Sequence, residues 1–109
     1  MCGIAGIIGN RPVNRDAVEA MMDVMVHRGP DDAGLWSSTD GRSVLGHRRL
    51  AIIDPTPAGR QPMQSDDGNL VLTYNGEIYN YLELAERLRA EGHSFQSQSD
   101  TEVLLAVYQ

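Results

Sequence analysis

Four apolar residues, Val18, Met21, Met22 and Met25, recur at i, i+3, i+4 and i+7. That spacing draws one face of an amphipathic helix over residues 15–26. Methionine fills irregular gaps in cores, so the stripe reads as core. Just before it, residues 3–8 (GIAGII) read as a short buried strand and residues 10–14, with Pro12, as a turn. The polar segment 27–34 (HRGPDDAG) reads as a loop that connects elements or shapes a site. Leu35–Trp36 and residues 43–45 flank a turn at 39–41 and read as a hairpin. Residues 50–54 (LAIID) and 70–74 (LVLTY) read as further strands, with a Pro/Gly-rich loop at 55–62 and a turn at Asp67–Gly68 between them. Asn75–Gly76 is then followed by Tyr81, Leu84, Ala85 and Leu88 at helical spacing, up to a C-cap at Gly92. The pair therefore sits at a strand-to-helix junction. Ser99-Asp100-Thr101-Glu102 forms a capping box for a last helix with a stripe of Val103, Leu104, Val107 and Tyr108. That helix is still apolar at Gln109, which predicts a truncated domain.

Composition narrows the possible functions. With 109 residues, 41% of them hydrophobic and 22% charged, the chain can bury a real core. A net charge of −6 and a pI of about 4.8 make it a poor partner for nucleic acid or an anionic membrane. All nine basic residues are arginine, which rules out a P-loop lysine and a Schiff-base lysine. The single cysteine, Cys2, excludes an intramolecular disulfide and fits a reducing compartment. No basic region precedes an apolar stretch and no apolar run approaches the ~20 residues of a membrane span. The expectation is a soluble cytoplasmic domain.

Four features carry candidate chemistry, each beside a plainer reading. Cys2 could be a small buried hydrophobe at the head of a strand. If Met1 is trimmed, its thiol instead lies beside its own α-amine, whose pKa of ~7.7–8.0 suits a base built into the nucleophile's residue. Asn75-Gly76-Glu77 could be only a turn, or a side-chain amide and a backbone N–H paired as an oxyanion hole. Arg48–Arg49 could be solvated, or one of them could bind a carboxylate bidentately. Asp100 could simply complement a helix dipole, or hold an ammonium group. His27, His47 and His93 lack metal-ligand spacing and read as hydrogen-bonding loop residues; no zinc site is expected. Asp31–Asp32 and Asp66–Asp67 read as solvated turns. An α-amino acid with an amide side chain would engage all four features at once.

Those residues stand in ordered motifs. Met1-Cys2-Gly3-Ile4-Ala5-Gly6, His27-Arg28-Gly29-Pro30-Asp31, the run 46–54 (GHRRLAIID), Gln61-Pro62-Met63, Asn75-Gly76-Glu77-Ile78-Tyr79-Asn80 and Ser99-Asp100-Thr101-Glu102 follow one another through the chain. Together they resemble the class II, N-terminal-nucleophile glutamine amidotransferases, above all the glutaminase domain of the glutamine-hydrolysing asparagine synthetases. The resemblance implies an α+β fold, the N-terminal part of a four-layer αββα Ntn-hydrolase sandwich, with residues 1–109 as the first half of the glutaminase domain. It implies Cys2 as the nucleophile, exposed by loss of Met1, and Asn75 and Gly76 as the oxyanion hole. Arg49 would bind the glutamine α-carboxylate, Asp100 the α-ammonium, and Glu77 and the Ile53 backbone would contact the substrate. The partners implied are L-glutamine and a C-terminal synthetase domain, with no nucleic acid and no membrane. Unpaired sheet edges would favour association into oligomers. No cofactor is implied for this segment; ATP and Mg belong to the synthetase domain, where the ammonia would convert aspartate to asparagine. Two alternatives accompany this reading: another class II amidotransferase with a different ammonia acceptor, and a catalytically incompetent fragment.

Overall fold

The computed structural model describes residues 2–51 and 56–109. Their elements run β1 (Gly3–Ile8), α1 (Arg15–Asp23), β2 (Asp32–Ser37), β3 (Ser43–Arg49), a 3-10 turn (Pro57–Gly59), β4 (Met63–Gln64), β5 (Val71–Leu72), α2 (Tyr81–Ala90) and α3 (Asp100–Tyr108). Two antiparallel sheets form, one in the order β1-β3-β2 and one of β4 with β5. The described residues are thus an α+β arrangement of two sheets and three α-helices. None of these helices is long and apolar enough to cross a membrane.

The pleat sorts the first sheet into two faces. β3 pairs Gly46 with Ala5 and Leu35, and Val44 with Ile7 and Ser37. Residues directly opposite share a face. This face packs on α1, where Val18, Met22 and Val44 are buried with Ala5, Ile7, Val13 and Leu35 around them. The other face carries Ile4, His47 and Gly34 in one row, and Gly6, Leu45 and Trp36 in the next.

The α1 stripe is only partly as its spacing suggests. Asn14 caps the helix by accepting from the Asp16 amide at 2.9 Å. The helix stops at Asp23 rather than near residue 26, because the chain tightens into turns: the Met25 amide bonds the Met22 carbonyl and the Arg28 amide the Met25 carbonyl. Met21 lies 39% exposed, while Met25 packs over Gly3.

The strand expected over 50–54 does not begin at Leu50. β3 runs instead to Arg49, and the next two amides leave the ladder, Leu50 donating to the Cys2 sulfur and Ala51 to Asp31 Oδ2. Residues 52–54 of that expectation lie outside the described residues. The strand expected over 70–74 shortens to Val71–Leu72 for a similar reason, since side chains take both backbone groups of Tyr74. α2 matches its spacing and ends ahead of Gly92, whose φ of +101° is the left-handed geometry of a glycine helix stop. The box before α3 closes on one side only. Ser99 Oγ accepts from the Thr101 amide, but Glu102 turns to the amides of Gln96 and Ser97. On α3, Val103 and Leu105 are buried, whereas Val107 and Tyr108 of the expected stripe are exposed.

Candidate active site

β1 and β3 run antiparallel with Gly3 opposite Arg48, so Cys2 stands one step on, level with Arg49. The Cys2 sulfur accepts from the Leu50 amide at 3.3 Å and lies 3.7 Å from the Leu50 carbonyl. It is a free, half-buried thiol. The head of β1 is pinned from below: Arg28 Nε donates to the Cys2 carbonyl at 3.1 Å, and Arg48 Nε donates to the Gly29 carbonyl at 2.9 Å. The polar loop 27–34 therefore shapes the seat of Cys2.

Arg49 is 7% exposed, and its Nη1 donates to the Thr56 carbonyl at 2.8 Å. One of its five N–H donors is thereby used, and the guanidinium is held on the same face as Asp32, its partner in register. Burial raises the Asp32 pKa, but hydrogen bonds from Arg60 and the Ala33 amide, with the charges of Arg60 and Arg49, outweigh it and hold it below the usual value. Asp32 is thus a strand residue paired with Arg60 at 2.7 Å and not the solvated turn residue expected, whereas Asp31 lies exposed at a bend, as expected, and accepts from the Ala51 amide.

The second half of the site hangs on Tyr74. His47 Nε2 lies 3.1 Å from the Tyr74 carbonyl. A carbonyl only accepts, so the ring donates from Nε2. Burial pushes the His47 pKa down. Gln61 Oε1 accepts from the Tyr74 amide at 2.6 Å, and Gln61 Nε2 donates to Thr101 Oγ1 at 3.0 Å. Gln61 reaches this place because Gly34 has no side chain: a Cβ there would collide with the Gln61 carbonyl. Beyond Tyr74, Asn75, Gly76 and Glu77 are exposed. A Cβ on Gly76 would fall 2.6 Å from the Tyr74 hydroxyl, so the ring lies over a bare backbone amide. Asp100, 5% exposed in the first turn of α3, accepts from the Ile78 amide at 3.0 Å. The loop bearing Asn75–Glu77 is thereby tied to the helix bearing Asp100.

The structure so brings Cys2 beside Arg49, and Asn75, Gly76 and Glu77 beside Asp100. The two groups are joined through His47 and Gln61. Ile53 and Met1 lie outside the described residues. His47, read from sequence as a loop residue, is instead on β3 and 1% exposed. Its alternation with Arg49, two residues on, is the signal that places both on the Cys2 side of the sheet. Gln61 stood in the Gln-Pro-Met motif without a role, and Arg28 likewise in its own. Among the described residues no group of three or more His, Cys, Asp or Glu side chains is placed to hold a metal ion.

The chain that carries this half-buried thiol, buried arginine and buried carboxylate has known relatives. It matches the glutamine amidotransferase domain over residues 1–109 and belongs to that family. It is 43% identical to asparagine synthetase [glutamine-hydrolyzing] 1 of Bacillus subtilis, over 99% of this chain and 17% of that protein. It is 41% identical to asparagine synthetase [glutamine-hydrolyzing] 1 of Arabidopsis thaliana, over 100% of this chain and 18% of that protein. With a putative asparagine synthetase [glutamine-hydrolyzing] 2 of Methanocaldococcus jannaschii the identity is 38%, over 99% of this chain and 24% of that protein. The chain spans between 17% and 24% of the length of these curated relatives.

Proposed function

We propose that this chain carries the glutamine-hydrolysing chemistry of an asparagine synthetase, with Cys2 as nucleophile. The observation that carries the reading is Cys2 level with buried Arg49, its sulfur receiving the Leu50 N–H. Removal of Met1 frees the Cys2 α-amine, which takes the thiol proton. The thiolate attacks the side-chain amide carbon of glutamine. The carbonyl oxygen becomes an oxyanion that accepts from the Asn75 side-chain amide and the Gly76 N–H. The amine returns its proton to the leaving nitrogen, the C–N bond breaks, and ammonia departs. Water, deprotonated by the same amine, then splits the γ-glutamyl thioester and releases glutamate. Arg49 binds the α-carboxylate, Asp100 the α-ammonium, and Glu77 borders the substrate.

The relatives' names support asparagine as the destination of the ammonia. ATP and Mg act, in this reading, in the synthetase domain of the parent, on which the chain depends for the transfer. Exposed Ile4 and Ile8 (76% exposed), on the face of the first sheet away from α1, support an inter-sheet layer and hence a four-layer αββα sandwich. A single cysteine fits a reducing compartment, which supports the cytoplasm.

The test is intact-mass spectrometry before and after 6-diazo-5-oxo-L-norleucine, a reactive glutamine analogue, with a Cys2→Ala control. One adduct on Met-free protein, lost in the control, is the expected result. No adduct on correctly trimmed protein overturns the assignment for this chain.

A further inference from the structure

Tyr74 is held in an unusual way. It lies two residues past β5, and side chains rather than a strand ladder take both of its backbone groups. Its carbonyl accepts from a histidine of the first sheet, and its amide donates to a glutamine. Each of those side chains is itself tied to a recognition group. His47 precedes Arg49 by two residues on the same face of β3. Gln61 bonds Thr101, the neighbour of Asp100, and all three are buried. The residue after Tyr74 is Asn75, and the Tyr74 carbonyl belongs to the peptide unit that leads into it.

We propose that His47 and Gln61 are positioning residues that clamp Tyr74 and so fix the distance from the Asn75–Gly76 oxyanion pair to Arg49 and Asp100. The proposal rests on the reading of Cys2 as a glutaminase nucleophile. That distance is a ruler for the substrate. The carbonyl oxygen of the side-chain amide must reach the oxyanion pair while the α-carboxylate sits on Arg49 and the α-ammonium on Asp100. Glutamine spans it; asparagine, one methylene shorter, does not. Hydrogen bonds suit this task because they are directional, and the His47 and Gln61 side chains that make them are buried. His47 donates from Nε2, and its Nδ1 is buried with no hydrogen-bond partner among the described residues. The ring is thereby a neutral, one-way donor.

The ruler is tested on the thiol itself. Labelling of Cys2 by 6-diazo-5-oxo-L-norleucine needs the oxyanion pair and both recognition groups, whereas labelling by iodoacetamide needs only the thiolate. The analogue one carbon shorter, 5-diazo-4-oxo-L-norvaline, reports length discrimination. Thr101→Val and His47→Leu are expected to slow labelling by the glutamine analogue about tenfold to a hundredfold, as misplacement of reacting groups by an ångström does. The preference for the longer analogue should shrink, and the iodoacetamide rate should hold. Thr101→Ser and His47→Gln, which retain the hydroxyl and the donor, should recover most of the loss. Equal slowing of both reagents means the side chains serve the thiol or the fold, and overturns the clamp. Unchanged labelling and unchanged length preference overturn it as well. Wild-type protein that takes up iodoacetamide but not the glutamine analogue fails at the earlier step, and the nucleophile reading falls with the clamp.

Discussion

The two faces of the first sheet are held by different physics. Toward α1 the contacts are apolar: Val18, Met22 and Val44 are buried among Ala5, Ile7, Val13 and Leu35. Away from α1 polar residues are buried as well, His47, Arg49, Gln61, Ser99, Asp100 and Thr101, alongside the apolar Met63, Ala85, Val103 and Leu105 of the later elements. Apolar packing is non-directional and tolerates repacking at similar volume. A hydrogen-bonded network is satisfied in one geometry only and costs heavily when half made. The α1 side therefore supplies stability, and the polar network of the far side adds position.

The largest expected effect breaks the first half of that contrast. Met22→Ala removes a core side chain and should cost about 2–5 kcal/mol in urea unfolding. It should leave the ratio of glutamine-analogue to iodoacetamide labelling of Cys2 unchanged in the molecules that remain folded. A changed ratio would mean that packing under α1 also sets the site.

Next comes Gln61→Leu, similar in volume and without hydrogen bonding. It strands the Tyr74 amide and leaves Thr101 Oγ1 without its donor. The expected cost is about 1–3 kcal/mol, the range for a buried group left unpaired. Here the labelling ratio should fall together with stability. A stability loss with an unmoved ratio would make the far side an ordinary core that happens to be polar.

This contrast also explains what could be read from the sequence. β1 lies where the short run GIAGII placed it, though with Ile4 and Ile8 exposed it is not the buried strand expected, and α2 lies where the helical spacing of Tyr81, Leu84, Ala85 and Leu88 placed it. The hairpin was legible from its turn at Thr39–Gly41. The ends of β3 and β5 were not. They are decided by where the amides of Leu50, Ala51 and Tyr74 go, and these go to Cys2, Asp31 and Gln61, from 13 to 48 residues away in sequence. Nothing periodic records such a bond. The candidate site residues are legible as motifs, and the structure sets Cys2 level with Arg49 and ties the loop of Asn75 and Gly76 to Asp100 through the Ile78 amide. Of the residues that join them, Gln61 carries no local signal beyond standing in its motif, and His47 only its alternation with Arg49. Their partner lies on another element and is a backbone group, which any residue could have offered.

The Arg60–Asp32 pair offers a smaller test. It lies on the polar side, but the Arg60 side chain is 56% exposed and that of Asp32 23%. Solvent screening leaves such a pair about 0–1 kcal/mol. Arg60→Ala should therefore cost little in unfolding, and less still in high salt. The Asp32 carboxylate keeps its bond from the Ala33 amide. A cost well above that range would assign exposed charge a share in holding the far face.

The smallest effect at neutral pH belongs to His47, and it grows only in acid. Burial and the charge of Arg49 push its pKa down, while the bond to the Tyr74 carbonyl and the charge of Asp32 pull the other way; burial prevails. In the unfolded chain the ring titrates near the ordinary histidine value of 6.5. Above that value both states hold the ring neutral, and its titration contributes nothing to the pH dependence. Below it the unfolded chain takes up a proton that the folded chain refuses, so stability falls as pH drops. His47→Gln keeps a donor for Tyr74 and cannot titrate. The difference in unfolding free energy between wild type and His47→Gln should be flat above pH 7. It should then turn against the wild type as pH falls below 6.5, until the folded ring itself protonates. A difference that moves in favour of the wild type in acid would mean that Nδ1 gains a proton and a partner inside the fold. His47 would then be a charged group, not the neutral one-way donor that the clamp on Tyr74 requires.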